Sequence, residues 1–320
     1  MKSASSLGTA AAIAKEMGKG INLGMTLERK LNSRKEEGIH ALLKTWKAAG
    51  IKNVRIPVTW FHETDNPTKP PTTLFESDDD GLLPKVVSSL NALCYALEMG
   101  FYVILNTHHE EFLYKYYTGS AEQDEAFANL WTKIAERYKD ADEDRLLFEV
   151  LNEPQGNFGD TMRDKKYARY VKANSEEGIR LTRQINKVGF EAIRQVSPNR
   201  VVLLAPNGRG NWSRARLIYP KATDLPGGGQ CKRIMVTLHT YDPWGFCGPS
   251  ARNRRKLTSA EVKDIMVPSI INGIKTWLTG MGGPAPAVHI GEYGVGRVGK
   301  KEKERDTGAV RDYYTYITRA

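Results

Sequence analysis

Tyr102-Val103-Ile104-Leu105-Asn106-Thr107-His108-His109-Glu110 is the stretch that decides the fold. Its first four residues are apolar without interruption, as in a strand buried on both faces, and its tail is polar and chemically reactive. The same design recurs along the chain. It is seen in Val54-Arg55-Ile56-Pro57, in Phe148-Glu149-Val150-Leu151-Asn152-Glu153-Pro154 and in Val201-Val202-Leu203-Leu204. It returns in His239-Thr240-Tyr241-Asp242-Pro243-Trp244 and in Val288-His289-Ile290-Gly291-Glu292-Tyr293-Gly294. Strands are expected to start near Ile21, Asn53, Phe101, Leu146, Val201, Ile234 and Ala287, 32 to 55 residues apart.

Segments of helical period fill the gaps. Ile39 to Ala49 stops at Gly50 and Leu83 to Met99 stops at Gly100, where glycine supplies the left-handed residue past a helix end. Further helices are expected over Glu122–Tyr138, Lys165–Gln195, Ala260–Leu278 and Thr307–Thr318. Seven βα units without a linker argue for one parallel-stranded α/β domain. An open doubly wound sheet gathers its ligand at one switch point. Here nearly every strand ends in reactive residues, as in a (β/α)8 barrel whose top face draws on many strands. Gly18-Lys19-Gly20 precedes a strand, so it is no dinucleotide fingerprint.

The chain has 320 residues, 40% hydrophobic and 26% charged, with 47 Lys and Arg against 37 Asp and Glu. That is globular composition. No apolar run reaches the roughly 18–20 residues of a membrane span. The net charge of +10 is spread out; its densest cluster, Arg252, Arg254, Arg255 and Lys256, reads as a solvated loop, and no motif supports nucleic-acid binding. The Lys300–Arg305 run alternates in sign, as an exposed stretch does. Asp78, Asp79 and Asp80 fit no calcium loop. Residues 1–19 read as a lead-in whose apolar stretch, Ala10 to Ala14, is too short for a signal peptide. Asn211-Trp212-Ser213 is a glycosylation sequon of the kind that arises by chance. Cys231 and Cys247 flank strand six at its opposite ends, too far apart for a disulfide.

Two glutamates, an arginine, an asparagine, histidines and a tyrosine converge on one face, a set that suits acid–base chemistry. The Leu151-Asn152-Glu153-Pro154 and Ile290-Gly291-Glu292-Tyr293-Gly294 motifs resemble those of glycoside hydrolase family 5, the cellulase family. Ile21-Asn22-Leu23-Gly24, Val54-Arg55-Ile56-Pro57 and the His108-His109 pair add to the likeness, which runs from about Gly20 to the last residue. The set looks most like the endo-β-1,4-glucanase branch.

The resemblance implies a retaining hydrolase of cellulose-like, mixed-linkage or xyloglucan chains, with Glu153 as acid/base and Glu292 as nucleophile. It also implies that Asn152 holds the substrate 2-hydroxyl, that His239 orients the acid/base, and that His108 is the strand-three histidine. The physical division agrees. A nucleophile must stay ionised, and Arg55 and Tyr241 would supply cationic and hydrogen-bonding neighbours, while its charge would favour the protonated form of Glu153. His109 is either a substrate contact or a loop residue. Trp60, Trp212 and Trp244 each follow a strand and either stack on sugars or pack their loops, whereas Trp46, Trp131 and Trp277 fall within helices as packing residues. Glu28 is a candidate contact to a distal sugar. Two-carboxylate hydrolysis needs neither metal nor cofactor, and the expected partner is a β-glucan, with no nucleic acid and no membrane. Sister readings are a mannanase, a β-1,3-glucanase or a non-catalytic carbohydrate binder. Secretion is what the family implies, though this chain carries no signal peptide; with a native N-terminus it would be cytoplasmic.

The pattern departs from the family at its end. A single barrel domain over 1–320 holds seven units of eight, and the platform tryptophan that the family carries on strand eight has no match. Three explanations stand: a longer natural chain, which is favoured, a second chain that closes an otherwise monomeric barrel, or a weakly active relative.

Overall fold

The computed structural model describes residues 8–24, 36–76, 84–161, 163–167, 169–248, 257–296 and 307–319. Glu28, Asp78 to Asp80, the Arg252–Lys256 cluster and the Lys300–Arg305 run lie outside the described residues. Seven parallel strands follow one another in chain order: β1 Gly20–Asn22, β2 Asn53–Ile56, β3 Tyr102–Asn106, β4 Leu146–Glu149, β5 Val202–Leu204, β6 Ile234–Thr240 and β7 Ala287–Tyr293. Each pairs with the next, and the sheet curls into a nearly closed barrel. β2 to β6 are buried along their whole length, which is why their sequences are apolar on both faces.

Helices cover the outside. Gly50 and Gly100 end the first two expected ones at φ +80° and +77°, the left-handed conformation that costs glycine least. Ser120 and Ser175 cap Ala121–Arg137 and Glu176–Val196 by accepting the amides of Gln123 and Gly178. The helix expected from Lys165 therefore begins eleven residues later, at Glu176. Before it the chain crosses back on itself, Asp160 N–H donating to Val171 O and Ala173 N–H to Asp160 O. These bonds compete with helical ones and win because Tyr167, Val171 and Ala173 become buried there.

The lead-in holds a helix that its short apolar stretch did not announce, Ala10–Met17, capped by Thr9. Ala10, Ile13 and Met17 form one face of it and pack on Ile104, Leu147, Leu203 and Met235. This helix plugs the barrel end opposite the reactive strand ends. Among the described residues no helix is long and apolar enough to cross a membrane. Cys94, Cys231 and Cys247 are free thiols.

One seam stays open, between β1 and β7. The polar link across it is Asn22 Nδ2 donating to Gly291 O at 2.8 Å. Alongside lies a cavity of about 590 Å³, lined by Gly20, Ile21, Val288, Ile290, Tyr314 and Ile317 among others. β7 is correspondingly half-buried where the other long strand, β6, is fully buried.

Truncating the plug should cost as a core substitution does. Ile13→Ala is expected to lower stability by about 2–4 kcal/mol, read from urea unfolding. Ala11→Ser on the exposed face should stay within about 0.5 kcal/mol.

Candidate active site

The site begins with a charge that cannot reach water. Arg55 projects from β2 and Glu149 from β4; both are buried, at 2% and 0% exposure. An isolated ion there would be very costly, so the two must pair. They do so bidentately, Arg55 Nη2 to Glu149 Oε1 at 2.6 Å and Nε to Oε2 at 2.8 Å. The remaining guanidinium hydrogens reach Asn152 Oδ1 at 2.7 Å, Glu292 Oε1 at 2.9 Å and Asn22 Oδ1 at 3.0 Å. Asn106 completes the Glu149 shell, donating to Oε1 at 3.2 Å. Burial works against both charges, yet the pairing outweighs it. The Arg55 pKa is raised, and that of Glu149 falls to about 2.

Glu292 lies on β7 opposite His239 of β6. A register shift between Leu238 and His239 pairs Ile290 with Leu238 but Glu292 with His239, so Gly291 is bulged. The bulge needs glycine, because a Cβ there would come within 2.6 Å of Thr237 Oγ1 and 2.9 Å of His239 Nε2. The second Glu292 oxygen accepts from Tyr241 Oη at 2.9 Å. Burial pushes the Glu292 pKa up; the charges of His239 and Arg55 and the Tyr241 bond pull it below the usual glutamate value. Burial raises the Tyr241 phenol, and the neighbouring Glu292 adds to this, so Tyr241 stays a donor.

Glu153 sits one loop residue beyond Asn152, with its backbone at φ +43°. This unusual conformation for a side-chain-bearing residue turns its carboxylate back over the barrel mouth. His239 Nδ1 is 2.9 Å from Glu153 Oε1 and 3.8 Å from Glu292 Oε2. Burial opposes the imidazolium, but Glu292 and the bond to Glu153 outweigh it and raise the His239 pKa. An oxygen of Glu153 and one of Glu292 lie within 4.8 Å of each other. Both carboxylates keep some access to solvent, at 20% and 17% exposure. Glu153, His239 and Glu292 are also a donor set of the kind that holds metal ions; the three come from distant positions, so no spacing in the sequence revealed it.

His108 is buried beside Asn106, Nδ1 to Nδ2 3.2 Å. Tyr114 Oη lies 2.5 Å from the carbonyl oxygens of both His108 and Asn152 and shares its one hydrogen between them, which ties the β3 and β4 ends together. His109 is half-buried and edge-on to His108. The tryptophans separate. Trp60 is fully buried, its indole donating to Asn106 O at 2.9 Å and its ring stacked on Phe75, so no sugar reaches it. Its reading as a platform is corrected to loop packing, enforced by Glu110, which accepts the Trp60 and Phe61 amides. Trp212 donates to Asp242 and lies against Gly273, where a Cβ would be 2.2 Å from its ring, so helix packing holds it. Trp244 is 49% exposed and edge-on to Tyr241, which places it beside the Glu292 end of the site.

Glu149, Asn22, Asn106 and Tyr114 were missed as site residues. Glu149 carried a signal, since a charge inside an otherwise apolar strand demands a buried partner, and Arg55 is such a charge too. Arg55→Met should cost about 3–5 kcal/mol at pH 7, because Glu149 is left charged and unpaired. With Arg55 present, the Glu149 contribution is full above the ordinary glutamate range and is lost as pH falls toward about 2. Without Arg55, burial favours the protonated acid, so the difference between the two proteins should shrink from pH 7 to pH 4. A difference that grows on acidification would count against this account of the pair.

The family described as Cellulase (glycosyl hydrolase family 5) matches residues 15–319. Endoglucanase H of Acetivibrio thermocellus is 32% identical over 285 residues, covering 88% of this chain and 26% of that protein. Endoglucanase A of Clostridium longisporum is 28% identical over 312 residues, covering 91% of this chain and 54% of that protein. The chain thus spans about a quarter to a half of the length of these relatives. Among solved structures, endoglucanase Cel5A of Thermotoga maritima superposes with a TM-score of 0.71 at 23% identity, over 98% of this chain and 88% of that one. A broad-specificity endoglucanase of Clostridium longisporum gives 0.69 at 23% identity, over 98% and 86%. These likenesses bear on the fold, while the sequence match over nearly the whole chain places it in a family: the chain belongs to the Cellulase family, glycosyl hydrolase family 5.

Proposed function

We propose that the chain is a retaining endo-β-1,4-glucanase acting on cellulose-like, mixed-linkage or xyloglucan chains. The observation that carries the reading is the pair of carboxylates within 4.8 Å whose partners differ. Retaining glycosidases place theirs about 5–5.5 Å apart, too close to admit a water between sugar and base. Glu292, held ionised by Arg55, Tyr241 and His239, is the nucleophile. Glu153, bonded to His239, is the acid/base.

In the first step a Glu292 oxygen bonds to the anomeric carbon. The glycosidic C–O bond breaks, and the proton of Glu153 passes to the departing oxygen. In the second, water attacks the same carbon and gives its proton to Glu153 as the glycosyl–Glu292 bond breaks. His239 can hold Glu153 in both protonation states because its ring nitrogen can donate or accept. Asn152 has its oxygen fixed by Arg55, so its amide N–H group meets the 2-hydroxyl, a bond that strengthens in the transition state. Trp244, beside Tyr241, offers a ring face to a sugar.

Relatives named endoglucanases support the β-1,4-glucan preference. Mannan is the second reading, because the Thermotoga maritima enzyme was also solved with mannotriose. Reducing-sugar release on carboxymethylcellulose, mixed-linkage glucan, xyloglucan, mannan and β-1,3-glucan separates these. Sugar binding without release would favour the non-catalytic alternative. Glu153→Ala should lower the rate by on the order of 10²–10⁴-fold. Glu292→Ala should be inactive until azide is supplied, then yield the glycosyl azide of inverted configuration; unchanged hydrolysis in this variant would refute the assignment. Treatment with EDTA should leave the wild-type rate unchanged, since no step calls on a metal.

A further inference from the structure

Among the described residues, Glu153 and Arg209 are the non-glycine residues with a left-handed backbone, at φ +43° and +65°. They meet. The Arg209 amide donates to the carbonyl of Pro154, the residue after Glu153, at 3.2 Å. Arg209 stands between Gly208 at φ +63° and Gly210 at φ +67°. A third glycine would satisfy that backbone with less strain than an L side chain, so the reason for arginine lies in its side chain.

The guanidinium closes a clamp on the segment that follows Glu153. Nε and Nη2 reach Asp160 Oδ2 at 3.2 and 3.1 Å, and Nη2 reaches Asp164 Oδ2 at 3.0 Å. Asp160 is almost fully buried, at 2% exposure. The same turn touches the other support of Glu153. Gly210 lies against His239, where a Cβ would be 3.2 Å from Cγ, and Asn211 forms a bridge with His239. One turn after β5 thus braces both the backbone beyond Glu153 and the imidazole bonded to its carboxylate.

We infer that Arg209 is a positioning residue for proton donation, holding Glu153 at the leaving-group oxygen through Pro154 and the Asp160–Asp164 clamp. This rests on Glu153 being the acid/base. A residue with that task matters in proportion to how much the leaving group needs a proton, whereas a residue that merely stabilises the barrel affects all substrates alike.

The test compares kcat/KM, which reports the first bond cleavage, for 2,4-dinitrophenyl and phenyl β-cellobioside. The dinitrophenolate leaves without a proton; phenolate needs one. Arg209→Gly, which keeps the backbone geometry, should slow the phenyl glycoside by about 10–100-fold more than the dinitrophenyl one. Arg209→Lys should recover part of the difference, and Asp160→Asn should reproduce it in milder form. An equal fall on both glycosides, or no fall on either, overturns the inference. Should Arg209→Gly fail to fold, the Asp160→Asn ratio decides in the same way. Glu153→Gln reports separately on the reading of the site: it should keep kcat/KM on the dinitrophenyl glycoside and lose it on the phenyl one, and an equal fall on both in that variant would sink the acid/base assignment itself.

Discussion

The structure turns on the buried bidentate pair between Arg55 and Glu149. Neither ion can exist where it does without the other, and between them they touch β1, β2, β4 and β7 or their ends. A buried ion pair is weak evidence for stability, because desolvation consumes most of its attraction. What it contributes is orientation. A planar fork with five donors has few ways to satisfy all of them, and here the arrangement that does so fixes Asn152 and Glu292. The chemistry of the mouth is therefore built on a side chain that lies below it and is closed to solvent.

The same use of arginine accounts for part of the positive charge. Arg200 is fully buried and donates to the carbonyls of Tyr138, Ala141, Asp142 and Leu146. Burial lowers its pKa to about 10, still well above neutrality. Arg233 binds Asn199 O, Glu143 O and Asp144 at the plugged end. These guanidinium groups tie loop carbonyls together where a backbone has no ladder to join. They form no track for a polyanion.

What the sequence disclosed follows from what burial demands of it. Strands enclosed on both faces must be apolar throughout, and their polar ends must lie at a mouth, so β2 to β6 were legible, as was the gathering of Glu153 and Glu292 at that mouth. Legibility failed where a choice was settled by distant partners. Trp60 and Trp244 both follow strands, but the carboxylate of Glu110 draws the Trp60 loop inward, and nothing near Trp60 in sequence shows this. The bulge at Gly291 depends on His239 across the strand pair. The helix Ala10–Met17 has one narrow apolar stripe with Lys15 and Glu16 on its outer side, a weak pattern that gains meaning only against an open barrel end. The late start of the helix at Glu176 was announced by Ser175 and two acidic residues, a capping signal outweighed by the longer helical period before it.

The unsealed seam has a mechanical consequence. Glu153 hangs from the continuous wall of β4, while Glu292 rides on β7, the strand at the rim of the opening. The two carboxylates behave as the jaws of a caliper, one fixed to the frame and the other on the sliding arm. The sheet bonds of β6, the reach of Asn22 to Gly291 and the bond from Arg55 to Glu292 set where the arm stops. Widening the seam would carry β7, and Glu292 with it, away from the wall that holds Glu153. Closure of the barrel and the spacing of the two carboxylates are one and the same property of this fold.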